Sequence, residues 1–347
     1  MRFARYVGAR MPRATAAGVS GRGVAVALSL ALVAIALACA LVLAMAAPVA
    51  AQTWQTGQNV APAFEGWLEK PDGSFALVFG YMNRNWLEEP NVPVGPENSF
   101  SPGAEDRGQP TVFRPRRNRF VFEVPVPADF GEQELVWTLT SNGVTEKAYG
   151  TLRIDYKLDN MVVASETGAL GIGRSDAEIR ANTAPRIWLE GEATRRVRVG
   201  EPVTLVIGME DDGLEDAVAR SKRQAEERAR REAAREGPPR LSPRQLRPPT
   251  RITVNKSVAH HVAWFVYRGD GEVEFEPPQV KTWEDTRTGA NSPWAPLWVP
   301  PPVPEDGRWT ATVTFDRPGT YILRARGDDG ALYHDVDVTI VVGPITE

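Results

Sequence analysis

The acids Glu210, Asp211 and Asp212 stand in one run and Asp328 and Asp329 in another. Carboxylates are the hard oxygen donors that Ca²⁺ takes, about six to eight to an ion. Neither run has EF-hand or repeat-type calcium spacing, so each also fits a hydrated turn that ends a strand. Arg114, Arg116, Arg117 and Arg119 make a basic cluster in a chain of formal net charge −4. Guanidinium forks there could receive a carboxylate or phosphate, or pair with Glu88, Glu89 or Glu105 at a solvated hairpin tip. Trp283, Trp294 and Trp298 fall among Pro293, Pro296, Pro300, Pro301, Pro302 and Pro304. Rings on a stiff Pro-rich loop could stack on sugars or grip a partner, or could instead cover the open edge of a sandwich.

Catalysis has little support in the residue types. There are three His, and the adjacent pair His260 and His261, if on a strand, would face opposite sides. The sequence holds no G-x-S-x-G elbow, H-E-x-x-H helix or P-loop. Carboxylates are numerous, yet no acid and base can be chosen among them. Gly168, Gly171 and Gly173 lack the strand before and helix after that a nucleotide loop requires, so that stretch reads as a hinge.

The elements that would position these groups are strands. Trp309, Ala311, Val313 and Phe315 alternate with polar residues, the period of a strand with one buried face. After a turn at Asp316 to Gly319 the alternation resumes through Tyr321, Leu323 and Ala325, with Arg324 and Arg326 outward. Asp328-Asp329-Gly330 makes a hairpin turn, and Val336, Val338, Ile340 and Val342 fill the next inner face. His334 shares their parity and is expected to point inward near the acidic turn. Further upstream, Phe64 to Tyr81 spells a hairpin about Lys70-Pro71-Asp72-Gly73. Phe120, Phe122, Val124 and Val126 align on another strand, and Asn142-Gly143 turns a second hairpin. Leu214 to Glu236, rich in Arg, Glu and Ala and stopped by Gly237-Pro238-Pro239, is expected as a helix. It is polar all round, with Glu226/Arg230 and Glu227/Arg231 spaced to pair. Arg240, Arg244, Arg247 and Arg251 follow among prolines.

Residues 1–51 have a different grammar. Five arginines precede an apolar run from Val24 to Ala47 and a small-residue exit, as in a signal peptide; the run is also long enough for an uncleaved membrane anchor. Either way the bulk of the chain is expected outside the cytoplasm, periplasmic or extracellular, touching a membrane only through this segment. The only cysteine, Cys39, lies in that segment. Both domains would then be held by packing alone, without disulfides or thiolate metal sites. Loss of the segment would make the chain more acidic still, a poor partner for nucleic acid.

The corner Asp316-Arg317-Pro318-Gly319-Thr320-Tyr321 resembles the tyrosine corner of immunoglobulin-like sandwiches. Together with the DDG turn it is similar to the end of a PKD or bacterial Ig-like domain, over roughly Pro185 to Val342. That resemblance implies a core Trp264 on strand C and brings the B–C connection (Glu210, Asp211, Asp212) beside the F–G turn (Asp328, Asp329). Ca²⁺ is the cofactor such a rim would suggest, and no other is implied. GYMNRN, VPVGPENSFSPG and DRGQPTVFRPRRNRF resemble a segment of uncharacterised secreted bacterial proteins. The expectation is an all-β chain of two β-sandwich domains, 60–156 and 185–347, joined by a linker at 157–184. The second is Ig-like or PKD-like with a charged helical insertion at 214–249. The expected role is a non-catalytic exported binding or scaffolding protein, with an envelope protein or extracellular glycan as partner. A carbohydrate- or calcium-dependent adhesion module, and an enzyme with an unrecognised carboxylate site, are the alternatives.

Overall fold

The computed structural model describes residues 54–166, 180–234, 260–281 and 301–344. The expected signal or anchor, the Gly168/Gly171/Gly173 hinge, the Arg240 to Arg251 tail and the Trp283/Trp294/Trp298 loop lie outside the described residues.

The first sandwich is built from β1 (Val60–Glu69), β2 (Phe75–Asn83), β3 (Asn98–Ser101), β4 (Arg116–Val126), β5 (Leu135–Ser141) and β6 (Val144–Gly150). One sheet has the order β1-β2-β4 and the other β3-β5-β6. Both expected hairpins form. Asn142 and Gly143 take the positive φ of 46° and 74° that a tight primed turn demands. Between the sheets Phe79, Phe100, Phe122 and Trp137 interlock, with ring centroids 5.1 to 6.1 Å apart. The buried indole of Trp137 donates to Asn98 Oδ1 at 2.9 Å, so its polar atom costs little in the core.

The second sandwich has β7 (Arg186–Leu189), β8 (Thr194–Arg198), β9 (Val203–Glu210), β10 (His261–Arg268), β11 (Val273–Glu276), β12 (Arg308–Phe315), β13 (Gly319–Asp328) and β14 (Tyr333–Gly343). Its sheets run β11-β12-β9-β7 and β10-β13-β14-β8. In immunoglobulin lettering these are D-E-B-A and C-F-G with a second A segment, an Ig-like β-sandwich. Trp264 of β10 is buried in its core beside Leu205, Ile207, Val313 and Leu323. Tyr321 makes the expected corner, its hydroxyl shared between the carbonyls of Arg317 and Asp270 at 3.0 Å each.

Helices also decorate the strands. The short α1 (Asn160–Glu166) is started by Asp159, whose Oδ1 accepts the Val162 N–H at 2.8 Å. Helix α2 (Leu214–Ala233) is the expected insertion, ending three residues earlier than the sequence suggests. Glu227 and Arg231 do pair along it. Lys222 reaches Glu305 at 2.8 Å and Ser221 accepts the Val303 N–H at 3.0 Å, which fix the helix to the approach to β12.

The two sandwiches share one compact unit, Thr53–Glu347, and a break in β4 is the reason. β2 and β4 pair as Phe79↔Phe122 and then Tyr81↔Asn118, so Arg119, Phe120 and Val121 bulge out opposite the single residue Gly80. A Cβ at Gly80 would collide with Glu65 Oε1 and the Asn118 carbonyl, so the bulge needs glycine there. Phe120, at φ 49°, leaves the face of Phe122 and Val124. It packs with Val78, Leu158, Ala331 and Leu332, a small core between the sandwiches. Straight alternation of Phe120 with Phe122 is therefore wrong by one local kink. Phe265 and Tyr267 of β10, meanwhile, join the core of the first sandwich.

Candidate functional site

The bulge turns three successive carbonyls of β4 toward the outer face of the second sandwich. Arg324 donates to Val121 O at 2.6 Å, and Arg326 to Phe120 O at 2.6 Å and Arg119 O at 3.2 Å. The β13–β14 register sets Arg324 opposite Asp337 and Arg326 opposite Asp335. Each pair is bidentate, at 2.6 and 2.8 Å for the first and 2.7 and 2.6 Å for the second. The guanidinium groups stack on Tyr267 (3.7 Å) and Tyr333 (4.1 Å). Burial alone would lower the pKa of the Arg326 guanidinium, but the Asp335 carboxylate outweighs it and holds the pKa above the ordinary value. Burial raises the Tyr267 and Tyr333 hydroxyls well above the usual tyrosine range. Further along the seam, Arg268 grips Asp106 at 2.7 and 2.9 Å and Gln109 O at 2.8 Å, and Thr111 N donates to Tyr267 O at 3.0 Å. A cleft of about 570 Å³ opens over this ladder, lined by Glu123, Tyr267, Arg324, Tyr333, Asp335 and Asp337.

Sequence reasoning set Arg324 and Arg326 outward, which their parity obeys, but read the outward face as solvent. A signal was present. Arg-x-Arg faces Asp-x-Asp across a DDG hairpin, so the two pairs had to meet across the strands.

The acidic runs come to one end of the second sandwich. Asp211 Oδ2 accepts from Gly213 N at 3.0 Å and lies 2.6 Å from His260 Nε2, with the side chains 2% and 6% exposed. Asp328 is buried and caps Gly330 N at 3.2 Å. Asp329 accepts from Asn182 and from the Ala331 and Leu332 N–H groups, all at 2.7 Å. Burial raises the Asp329 pKa, and the nearby Asp211 charge adds to that rise. Glu210 pairs with Arg186 at 3.0 Å on the surface, and Asp212 is exposed. Among the described residues no group of three or more His, Cys, Asp or Glu is arranged to hold a metal ion. His334 is exposed, not inward: it accepts the Ile187 N–H on Nδ1 at 3.1 Å, drawn to the first residues of β7. The His260–Asp211 dyad was not foreseen. It is enclosed by the rim, and its geometry braces the B–C connection against β10.

Members of the basic cluster go to different places. Arg117 bonds the buried Glu65 at 2.7 Å, and the pKa of Glu65 is nonetheless raised because burial outweighs Arg117. Arg116 stacks on Trp86 at 4.6 Å and donates to Arg84 O at 3.0 Å. Arg114 turns between the sandwiches, 3.6 Å over the ring of Phe265. Chemically, the described residues offer charged surfaces, and the His260–Asp211 dyad is shut from solvent.

No family model matches the chain, and no curated protein matches it. Among solved structures it is similar to the S-layer protein rSbsC(31-844), at 9% identity over 79% of this chain and 24% of that one, with a TM-score of 0.22. It is also similar to the titin domains z1z2 in complex with telethonin (9% identity, 82% and 98% covered, TM-score 0.21). A third is the N-terminal eight Ig domains of Down Syndrome Cell Adhesion Molecule (6%, 82% and 27%, 0.20). This chain spans about a quarter of the length of the first. At such TM-scores the Ig-like assignment rests on strand order and on the corner at Tyr321.

Proposed function

We propose that this chain is a non-catalytic, exported binding or scaffolding protein of the bacterial envelope or exterior. The observation that carries the reading is the seam. Two sandwiches joined by arginines of the second that donate to backbone carbonyls of the first, by the Arg268–Asp106 pair and by a shared core form one unit, which is what a scaffold requires. Export is supported by the basic start and apolar run of residues 1–51. Within the Ig-like class, the Phe315, Pro-Gly-Thr-Tyr and DDG sequence favours a PKD-like second domain. The exposed length of α2 beyond Lys222 is the arm best placed to meet a partner.

The test is cross-linking and affinity capture of the tagged full chain from its native cells, beside a form lacking Leu214 to Arg247. Enrichment of one envelope protein or glycan, reproduced when both purified components are mixed, is the expected result. Loss of it in the deletion would assign the contact to the arm. Sustained turnover of a soluble substrate by the purified chain would overturn the reading.

A further inference from the structure

The start of β1 and the end of β2 meet at one end of the first sandwich, where Val60 lies opposite Asn83. Residues 54–58 arrive there and are tied down. Trp86 N donates to Trp54 O at 3.1 Å, and Leu87 N to Gln55 O at 3.0 Å. The tip of the β5–β6 hairpin joins the same end: Asn142 Nδ2 donates to Gln58 O at 2.7 Å, and Val60 N to Ser141 Oγ at 2.7 Å. Three large apolar side chains stand exposed on these loops, Trp54 at 50%, Leu87 at 55% and Val144 at 44%. The charges between them are engaged. Arg84 pairs with Glu146 at 3.3 Å, Glu88 accepts from Gly57 N, and Arg116 stacks on Trp86. This end therefore offers a partner apolar tips more than surplus charge.

Its place in the chain points to what covers it. The apolar run Val24 to Ala47 is long enough to enter a bilayer. Only seven residue steps separate Ala47 from Trp54, at most about 25 Å of chain. A membrane holding that run is always within reach of this end. Trp is also the side chain favoured at a membrane–water interface, where its ring is apolar and its N–H stays wet. We propose that this end of the first sandwich rests on the lipid bilayer, with Trp54, Leu87 and Val144 dipped among the headgroups. Three tips on different loops suit a fluid surface that closes round each of them better than a rigid protein face. The inference rests on the export reading above, in its anchored form, and adds an orientation. β1 and β2 stand up from the membrane, and their Lys70 to Gly73 turn faces water roughly 27 Å away, the length of the nine-residue β2.

The test uses the full chain with its only cysteine removed by Cys39→Ala, reconstituted in phosphatidylcholine vesicles. One cysteine at a time, Trp54→Cys, Leu87→Cys or Val144→Cys, carries a nitrobenzoxadiazole label. Ile154→Cys and Glu132→Cys are the controls. Ile154 is 74% exposed, more than any of the three, yet follows Arg153, whose carbonyl is bound by Trp67 toward the other end of β1. Lipids with a nitroxide near the headgroup should quench the three labels severalfold more than the controls, and iodide in the water should reverse that order. Adding Leu87→Glu should cut the lipid quenching at position 144 severalfold. Equal quenching at all five positions would overturn the assignment. So would unquenched labels on a chain that sodium carbonate fails to extract, a result that keeps the anchor and loses this face. A chain that carbonate does extract would overturn the inference at its premise, while fractionation of the native cells reports on export by itself. Protection of the three thiols from a soluble maleimide in native cells, without lipid quenching in vesicles, would assign the face to a protein partner and overturn it too.

Discussion

Replacing Arg326 by Met keeps most of the side chain's volume and removes four hydrogen bonds: two to Asp335 and one each to the carbonyls of Arg119 and Phe120. The residue is 3% exposed, and the Asp335 carboxylate left behind has a side chain 18% exposed. Stranding one partner of a buried pair costs about 3–5 kcal/mol. Arg324 lies 3.9 Å from Asp335 and can take up some of the orphaned charge, so the low end, about 3 kcal/mol, is expected. Arg324→Met should cost less, about 1–2 kcal/mol, because its partner Asp337 is 41% exposed and can be rehydrated. The double variant Arg326→Met with Asp335→Leu removes the stranded charge and should be more stable than Arg326→Met alone. Equilibrium urea unfolding followed by Trp fluorescence measures all three on one scale. A loss below about 1 kcal/mol in the single variant, or a double variant no better than the single, would refute the reading of Arg326 and Asp335 as a buried pair on which the stability of the fold depends.

Three other outcomes follow from the same geometry. Tyr321→Phe leaves the Arg317 and Asp270 carbonyls without their shared donor and should cost about 1–2 kcal/mol in the same urea assay, with the fold intact by circular dichroism. Glu65 has its pKa raised above 4.5, chiefly by burial and against the pull of Arg117. The stability tied to it is full below 4.5 and is lost as pH rises through the raised folded value. Wild type should therefore gain stability from neutral toward mildly acidic pH, and Glu65→Gln should flatten that gain. Ca²⁺ and EDTA should give superimposable melting curves, because Asp211, Asp328 and Asp329 already serve His260 and backbone N–H groups. A Ca²⁺-dependent rise lost in the Asp328→Ala, Asp329→Ala pair would show that the rim rearranges around the ion.

Much of the second sandwich was legible where its strands bury one face only. Trp309 to Phe315 and Tyr321 to Ala325 alternate cleanly, and Tyr321 and Trp264 sit at positions with known jobs in an Ig-like sandwich. β3 and β11 were not legible. Each is four residues long with polar positions, and each is held by a neighbour's register, Phe100 against Trp137 and Val273 against Phe315. The bulge at Phe120 was hidden because Phe120, Phe122 and Val124 read as unbroken alternation. The steric demand that reveals it sits on another strand, at Gly80. Of the site residues, the acids' turns could be read but their occupants could not. Whether an aspartate faces water, a histidine 49 positions away or a neighbouring sandwich is set by tertiary contacts that carry no local period.

β8 runs parallel to β14, with Thr339 opposite Thr194 and Gly343 opposite Arg198. In such a pair the chain enters at one end of the first strand and leaves at the opposite end of the second. Tension applied through the flanking chain therefore draws the two strands past each other along their length and strains the whole run of pairs together. An antiparallel hairpin pulled from its open end would instead unzip rung by rung. The β8–β14 pair is thus oriented to resist stretching along the chain.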